Sequence, residues 1–179
     1  MRSRYRVNEL DRAHFVTSTI VEWLPVFTAQ ACCDLLVSAL AHCREHKALR
    51  IYAWVIMENH FHAIIAGPDL PKTMQSLKAY TARTILAQLQ REGRTWLSEQ
   101  LAYRCLRHKD ASGSKHQIWQ EGYHPQSIYS DEMMLQKLEY VHLNPVRRGL
   151  VAAPEHWRYS SAHEWLPGAS PVLRVDDWR

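Results

Sequence analysis

Two runs rich in apolar and β-branched residues, 50–57 (RIYAWVIM) and 60–66 (HFHAIIA), are separated only by Glu58-Asn59. That pattern specifies a β-hairpin with a tight connection, because Glu-Asn is a turn signal and both flanks favour the pleated surface. On the second strand, His60 and His62 are two apart and project to one face, with Phe61 on the other. Two imidazoles side by side on a rigid strand form a two-point grip for a metal ion. A His-x-His triplet alone is weak, since core packing and chance also produce it, and the chain has 11 histidines.

The flanking sequence places this hairpin in a larger sheet. Residues 13–23 (AHFVTSTIVEW) read as a strand. Residues 28–46 carry Cys32, Leu35, Leu36, Ala39, Leu40 and Cys43 at helical spacing. A second amphipathic helix over 71–90 aligns Met74, Leu77, Thr81, Ile85 and Leu89. Residues 91–115 contain polar, Gly- and Ser-bearing stretches and read as an insertion or flexible excursion. A fourth strand is expected at 117–120. Ser130 or Asp131 can cap a third helix with acidic residues in its first turn. Pro145 should end or bend that helix, and Gly149 is a natural stop for the turn beyond it. Trp157, Tyr159, Trp165 and Trp178 mark an aromatic tail that packs across the domain. The order strand, helix, strand, strand, helix, strand, helix defines an α+β class: a ferredoxin-like split βαβ antiparallel sheet with an added C-terminal helix and tail. One domain over 1–179 is expected, with the insertion at about 91–115.

The third helix carries Tyr140 and Asn144, four apart and so on one face. Tyrosine is a poor nucleophile at neutral pH, because a phenol keeps its proton to a pH of about 10. A divalent ion that withdraws charge from a phosphate can compensate. The histidine pair and the Tyr-x3-Asn helix therefore mean more together than apart. Taken singly, Tyr140 is better explained as a half-buried helix aromatic. Tyr80 is the nearest rival nucleophile, but its four-residue partner is Thr84, a poorer metal ligand than an amide carbonyl.

The formal charge of +4 says little, but its distribution says more. Arg2, Arg4 and Arg6 alternate around Tyr5, Lys78 and Arg83 lie on the second helix, and Arg147 and Arg148 follow Pro145. Cations neutralise phosphates and rings stack bases, so these residues suit a nucleic-acid strand; a solvated surface is the alternative for any one cluster. No apolar run approaches a membrane span, and the basic N-terminus lacks the apolar segment of a secretory signal. Cys32, Cys33, Cys43 and Cys105 show no paired ligand spacing, which fits reduced thiols and a cytoplasmic location.

The segment 53–62 (AWVIMENHFH) resembles the HUH motif of single-tyrosine transposases. The segment 137–149 (KLEYVHLNPVRRG) resembles the catalytic helix of the REP-associated tyrosine transposases, and 157–162 (WRYSSA) resembles a stretch that follows it. The resemblance runs in order over about residues 13–164. It implies that Tyr140 attacks a DNA phosphate to form a covalent 5′-phosphotyrosine, leaving a 3′-hydroxyl. It further implies that His60 and His62 bind Mg²⁺ or Mn²⁺, with Asn144 as a third ligand. The implied substrate is single-stranded DNA bearing a palindromic hairpin, with Arg2, Arg4, Tyr5 and Arg6 reading the guide at its foot. The implied assembly is a monomer or a homodimer. The stretch 91–115 is longer than in the compact members, and imidazoles favour Mn²⁺, since Mg²⁺ prefers oxygen. Two other readings are a domesticated, non-cleaving hairpin-binding protein and an unrelated metal-dependent hydrolase with Glu58 as base. Deleting the residues before Val7 is expected to weaken hairpin binding and relax sequence preference; unchanged affinity and preference in a gel-shift titration would exclude the guide-reading role.

Overall fold

The computed structural model describes residues 12–107, 118–168 and 170–179. Arg2, Arg4, Tyr5 and Arg6 lie outside them. The described chain runs β1 (His14–Thr19), α1 (Gln30–Lys47), β2 (Arg50–Ile56), β3 (His60–Ala66), α2 (Leu70–Arg91), α3 (Thr95–Arg107), β4 (Gln126–Ser127) and α4 (Asp131–Arg147). The strands form one sheet in the order β2-β3-β1-β4, with every neighbouring pair antiparallel. This is the expected ferredoxin-like α+β arrangement.

Strand alternation divides the core in two. Val16, Ile51, Trp54, Phe61, Ala63 and Ile65 pack with residues of α1, α2 and α3 on one face. Phe15, Ala53, Val55 and Ile64 pack with Met134 and Val141 of α4 on the other. The β2–β3 register shifts between Ile51 and Ala53. A bulge there lets Tyr52 and Ala53 both join the α4 side while Trp54 returns to the opposite side.

Two expectations are corrected. The stretch read as an insertion or flexible excursion is not irregular over its described part: it contains α3, whose Leu97 and Leu101 are buried in the larger core, and its apolar spacing is masked by the polar residues on either side. The fourth strand is β4, not 117–120. Trp119 makes only an isolated bridge with Ile20, and the left-handed backbone at Gly122 (φ 74°) and His124 (φ 43°) interrupts any continuous ladder before β4.

The tail closes the free edge of β2. Ser160 bridges Val55, the Ile56 amide donates to the Tyr159 carbonyl at 2.8 Å, and the Asp176 amide donates to the Ile51 carbonyl at 2.7 Å. An edge strand covered in this way is protected from pairing with another chain. Among the described residues, no helix is long and apolar enough to cross a membrane. Cys32, Cys33 and Cys43 are free and buried, and burial pushes the thiols of Cys32 and Cys33 up to about 12.

The helix that carries Tyr140 is defined at both ends. Ser130 is its N-cap and accepts from the Met133 amide at 3.1 Å. Pro145 neither ends nor displaces it: the helix continues to Arg147, and the Arg148 amide donates to the Asn144 carbonyl at 3.2 Å. Gly149 (φ 70°) donates to the Val146 carbonyl and Leu150 to the Pro145 carbonyl, a Schellman closure. Ser130→Ala is expected to cost about 1 kcal/mol in urea denaturation. Gly149→Ala should cost about 1–2 kcal/mol, arising from the backbone alone because an added Cβ meets nothing within 4 Å. Gly149→Asn should cost less, since asparagine tolerates the left-handed region; equal losses for the two would exclude a conformational origin.

Candidate active site

The register of β1 against β3 sets His62 opposite Thr17 and His60 opposite Thr19. Both imidazoles therefore emerge on the α4 side of a central strand, with ring centroids 4.7 Å apart. Each is oriented by a neighbour. The Nδ1 of His60 is 2.6 Å from the Asn59 side-chain oxygen, which fixes it as the protonated nitrogen. The Nδ1 of His62 is 2.8 Å from the Thr17 hydroxyl. In His60 the protonated Nδ1 leaves the lone pair of Nε2 for a ligand, and the same holds in His62 when its Nδ1 donates to the Thr17 hydroxyl, the second-sphere pattern of metal-binding histidines.

Above the strand, α4 contributes Tyr140 and Asn144 one turn apart. Tyr140 is 37% exposed and Asn144 only 7%. The Tyr140 ring meets His62 edge-on at 5.4 Å, and Phe15 stacks on His62 at 5.3 Å while meeting Tyr140 at 5.6 Å. Thr17, Trp23, His60, His62, Tyr140, Asn144, Arg147 and Arg148 line one cleft of about 320 Å³. No carboxylate is among the described residues on its wall. The Arg147 guanidinium lies 5.7 Å from the Tyr140 ring centroid and the Lys137 ammonium 6.0 Å.

This setting keeps both histidines neutral. Burial, reinforced by Arg148, lowers His60 to about 4. Burial, then His60, Arg148 and Lys137, lowers His62 to about 3. Neutral imidazoles are the form that binds metal. Two imidazoles and an amide carbonyl on one wall fit a divalent ion that needs further oxygen ligands from phosphate or water. Among the described residues no group of three or more His, Cys, Asp or Glu side chains could hold a metal by itself; the Asn144 amide is a further oxygen donor on the cleft wall.

The structure thus brings together six of the residues expected from sequence: His60, His62, Tyr140, Asn144, Arg147 and Arg148. Lys78 and Arg83 are not with them, because α2 covers the opposite face of the sheet. Burial lowers the Lys78 amine to about 8, and it donates to the carbonyls of Gln120 and Gly122. That ammonium holds the 118–123 segment against α2. Arg83 lines a groove between α1 and α2, together with the rival Tyr80. Sequence reasoning missed Phe15, Thr17, Trp23 and Lys137. The first three depend on strand register and a loop path that composition does not encode; Lys137, three residues before Tyr140 on the same helix, was within reach of a periodicity argument.

Trp23 has a strained approach. Glu22 (φ 53°) and Trp23 (φ 55°) are consecutive left-handed residues, each costing about 1–3 kcal/mol that the surrounding structure must offset.

A helix-borne phenol over a strand-borne imidazole pair, in a cleft walled by arginines, suits phosphodiester chemistry. Residues 12–103 match the family described as "Transposase IS200 like", and the chain belongs to that family. The match includes His60 and His62 and stops before Tyr140. A protein of Haemophilus influenzae (strain ATCC 51907 / DSM 11121 / KW20 / Rd) named as a REP-associated tyrosine transposase is 29% identical over 141 residues, which cover 79% of this chain and 73% of the relative. A solved structure of a REP-associated tyrosine transposase bound to a REP hairpin superposes with a TM-score of 0.67 at 20% identity, covering 99% of this chain and 93% of that one. That likeness concerns the fold.

The histidine environment has a consequence for stability. Below pH 6.5 the unfolded chain takes up protons that native His60 and His62 refuse until about 4 and 3, and His142 behaves likewise, lowered to about 4 by burial and His163. The unfolded state then binds more protons than the native one, so stability is greatest above pH 6.5 and falls as the pH drops toward 4. Urea midpoints measured across that window should decline, and His62→Gln should flatten the decline relative to wild type. Parallel profiles for the two proteins would exclude this contribution.

Proposed function

We propose that the protein is a metal-dependent endonuclease and strand transferase for single-stranded DNA bearing a palindromic hairpin. The observation that carries this reading is the convergence of Tyr140, His60, His62 and Asn144 on one arginine-walled cleft, from segments about eighty residues apart in sequence. Membership of a transposase family, the REP-associated name of the Haemophilus influenzae relative and the REP hairpin bound in the structural neighbour support the substrate class.

In this reading the Tyr140 oxygen attacks the scissile phosphorus, the bond to the 3′-oxygen breaks, and a 5′-phosphotyrosine and a free 3′-hydroxyl result. Attack by another 3′-hydroxyl reverses the step and joins the strands. A Mg²⁺ or Mn²⁺ ion held by the Nε2 atoms of His60 and His62 and the Asn144 side-chain oxygen would draw charge from the phosphate and stabilise the departing oxygen. Asn59 and Thr17 fix the two rings in orientation. Phe15 and His62 support the Tyr140 ring from below, limiting the positions from which its oxygen can reach the phosphorus. Arg147 and Arg148 hold the anionic strand in the cleft.

Incubation with labelled hairpin DNA and Mn²⁺ should give a covalent adduct on a denaturing gel, mapping to Tyr140. Tyr140→Phe should abolish the adduct while binding persists. Attachment at Tyr80, or full cleavage by Tyr140→Phe, would refute the assignment. Asn144→Ala should weaken Mn²⁺ binding by calorimetry, roughly tenfold if the carbonyl is a ligand, with the fold retained; unchanged affinity would remove Asn144 from the metal shell.

A further inference from the structure

Trp23 is a large ring left 55% exposed on a tightly constrained piece of backbone. The left-handed pair Glu22–Trp23 is held from several directions. The Val21 amide donates to the Ile118 carbonyl at 2.9 Å, the Trp23 amide to the Ile20 carbonyl at 3.1 Å, and the Leu24 amide to the Val21 carbonyl at 3.2 Å. The Asn59 side-chain nitrogen donates to the Trp23 carbonyl at 3.2 Å, while its oxygen accepts from His60. One side chain therefore ties the loop to an imidazole of the cleft. Glycine would occupy such a backbone without strain; the chain instead places an indole there and enforces the conformation.

Core packing does not account for the ring, which meets His60 edge-on at 6.1 Å and lines the cleft that also holds Tyr140, Arg147 and Arg148. Strain of this kind, maintained by surrounding hydrogen bonds, concentrates where a protein contacts a ligand. Aromatic faces beside cations are how single strands are held: the cations meet the phosphates and the ring stacks a base.

We propose that Trp23 is a stacking platform for the nucleobase adjoining the phosphate held in the His60–Tyr140 cleft. This rests on the single-stranded DNA reading above and adds a base-contacting subsite to it. Because every base presents a π-face, the platform contributes affinity and strand position, not choice of base. Asn59 couples it to the imidazole pair, so the seat of the base and the orientation of His60 are set by the same amide.

The test compares wild type, Trp23→Ala and Trp23→Phe for binding to oligothymidylate and to an abasic deoxyribose-phosphate oligomer of equal length, by fluorescence anisotropy. Trp23→Ala should bind oligothymidylate about tenfold more weakly, Trp23→Phe should keep most of the affinity, and neither substitution should change binding to the abasic oligomer. Equal losses on both oligomers, no loss on oligothymidylate, or no binding of oligothymidylate by wild type would each overturn the proposal. Thermal melting of the variants checks the fold, which the half-exposed ring does not support. A Tyr140 adduct with hairpin DNA, formed without any base-dependent effect of Trp23, removes the platform alone. A base-dependent effect without any adduct removes strand transfer and leaves the platform in place.

Discussion

The pairing of β1 with β3 is the constraint on which the site depends. Its register sets Thr17 opposite His62 and Phe15 opposite Ile64, so a hydroxyl, a stacking ring and both imidazoles share the face covered by α4. A slip of one residue would turn the β1 side chains to the other face. Phe15 and Thr17 would then point toward α1 and α2, and His62 would lose its aromatic support and its hydroxyl partner together. Core packing resists such a slip, because Val16 and Phe61 fill the opposite layer in the same register. The hydrophobic alternation that builds the sheet is thereby also what aims the imidazoles.

Electrostatics completes what register begins. Burial and the nearby cations Arg148 and Lys137 disfavour protonated imidazole, so the same positive field that would attract a phosphate backbone keeps the histidines in their ligand form. In a cleft without described carboxylates, positive potential is not neutralised locally. The chain's modest net charge of +4 does not reveal this local excess.

Much of the arrangement was legible in the sequence. The hairpin around Glu58-Asn59, the face shared by His60 and His62, and the Tyr140–Asn144 turn all follow from periodicity, which is local. The failures have non-local causes. Pro145 is a helix breaker by propensity, yet the helix runs past it to Arg147 before Gly149 closes it. Lys78 reads as a surface cation, but its ammonium is taken up by the carbonyls of Gln120 and Gly122, some forty residues away in sequence. The fourth strand was displaced because strand propensity at 117–120 could not anticipate the left-handed positions that follow it. Trp23 was invisible as a site residue because its role depends on where a strained turn points it.

Tyr140 and the imidazole pair belong to different elements, the helix α4 and the strand β3. The strand β3 is buried along its whole length, whereas α4 buries Met134, Val141, Asn144 and Pro145 out of 17 residues, against nine of 22 in α2. Helices with few buried anchors detach at lower free energy than the central strands they cover. The fold thus has an internal hierarchy of rigidity: a stiff floor bearing the imidazoles, and a looser roof bearing the phenol. Small excursions of the roof change the distance between Tyr140 and the floor while the sheet stays intact.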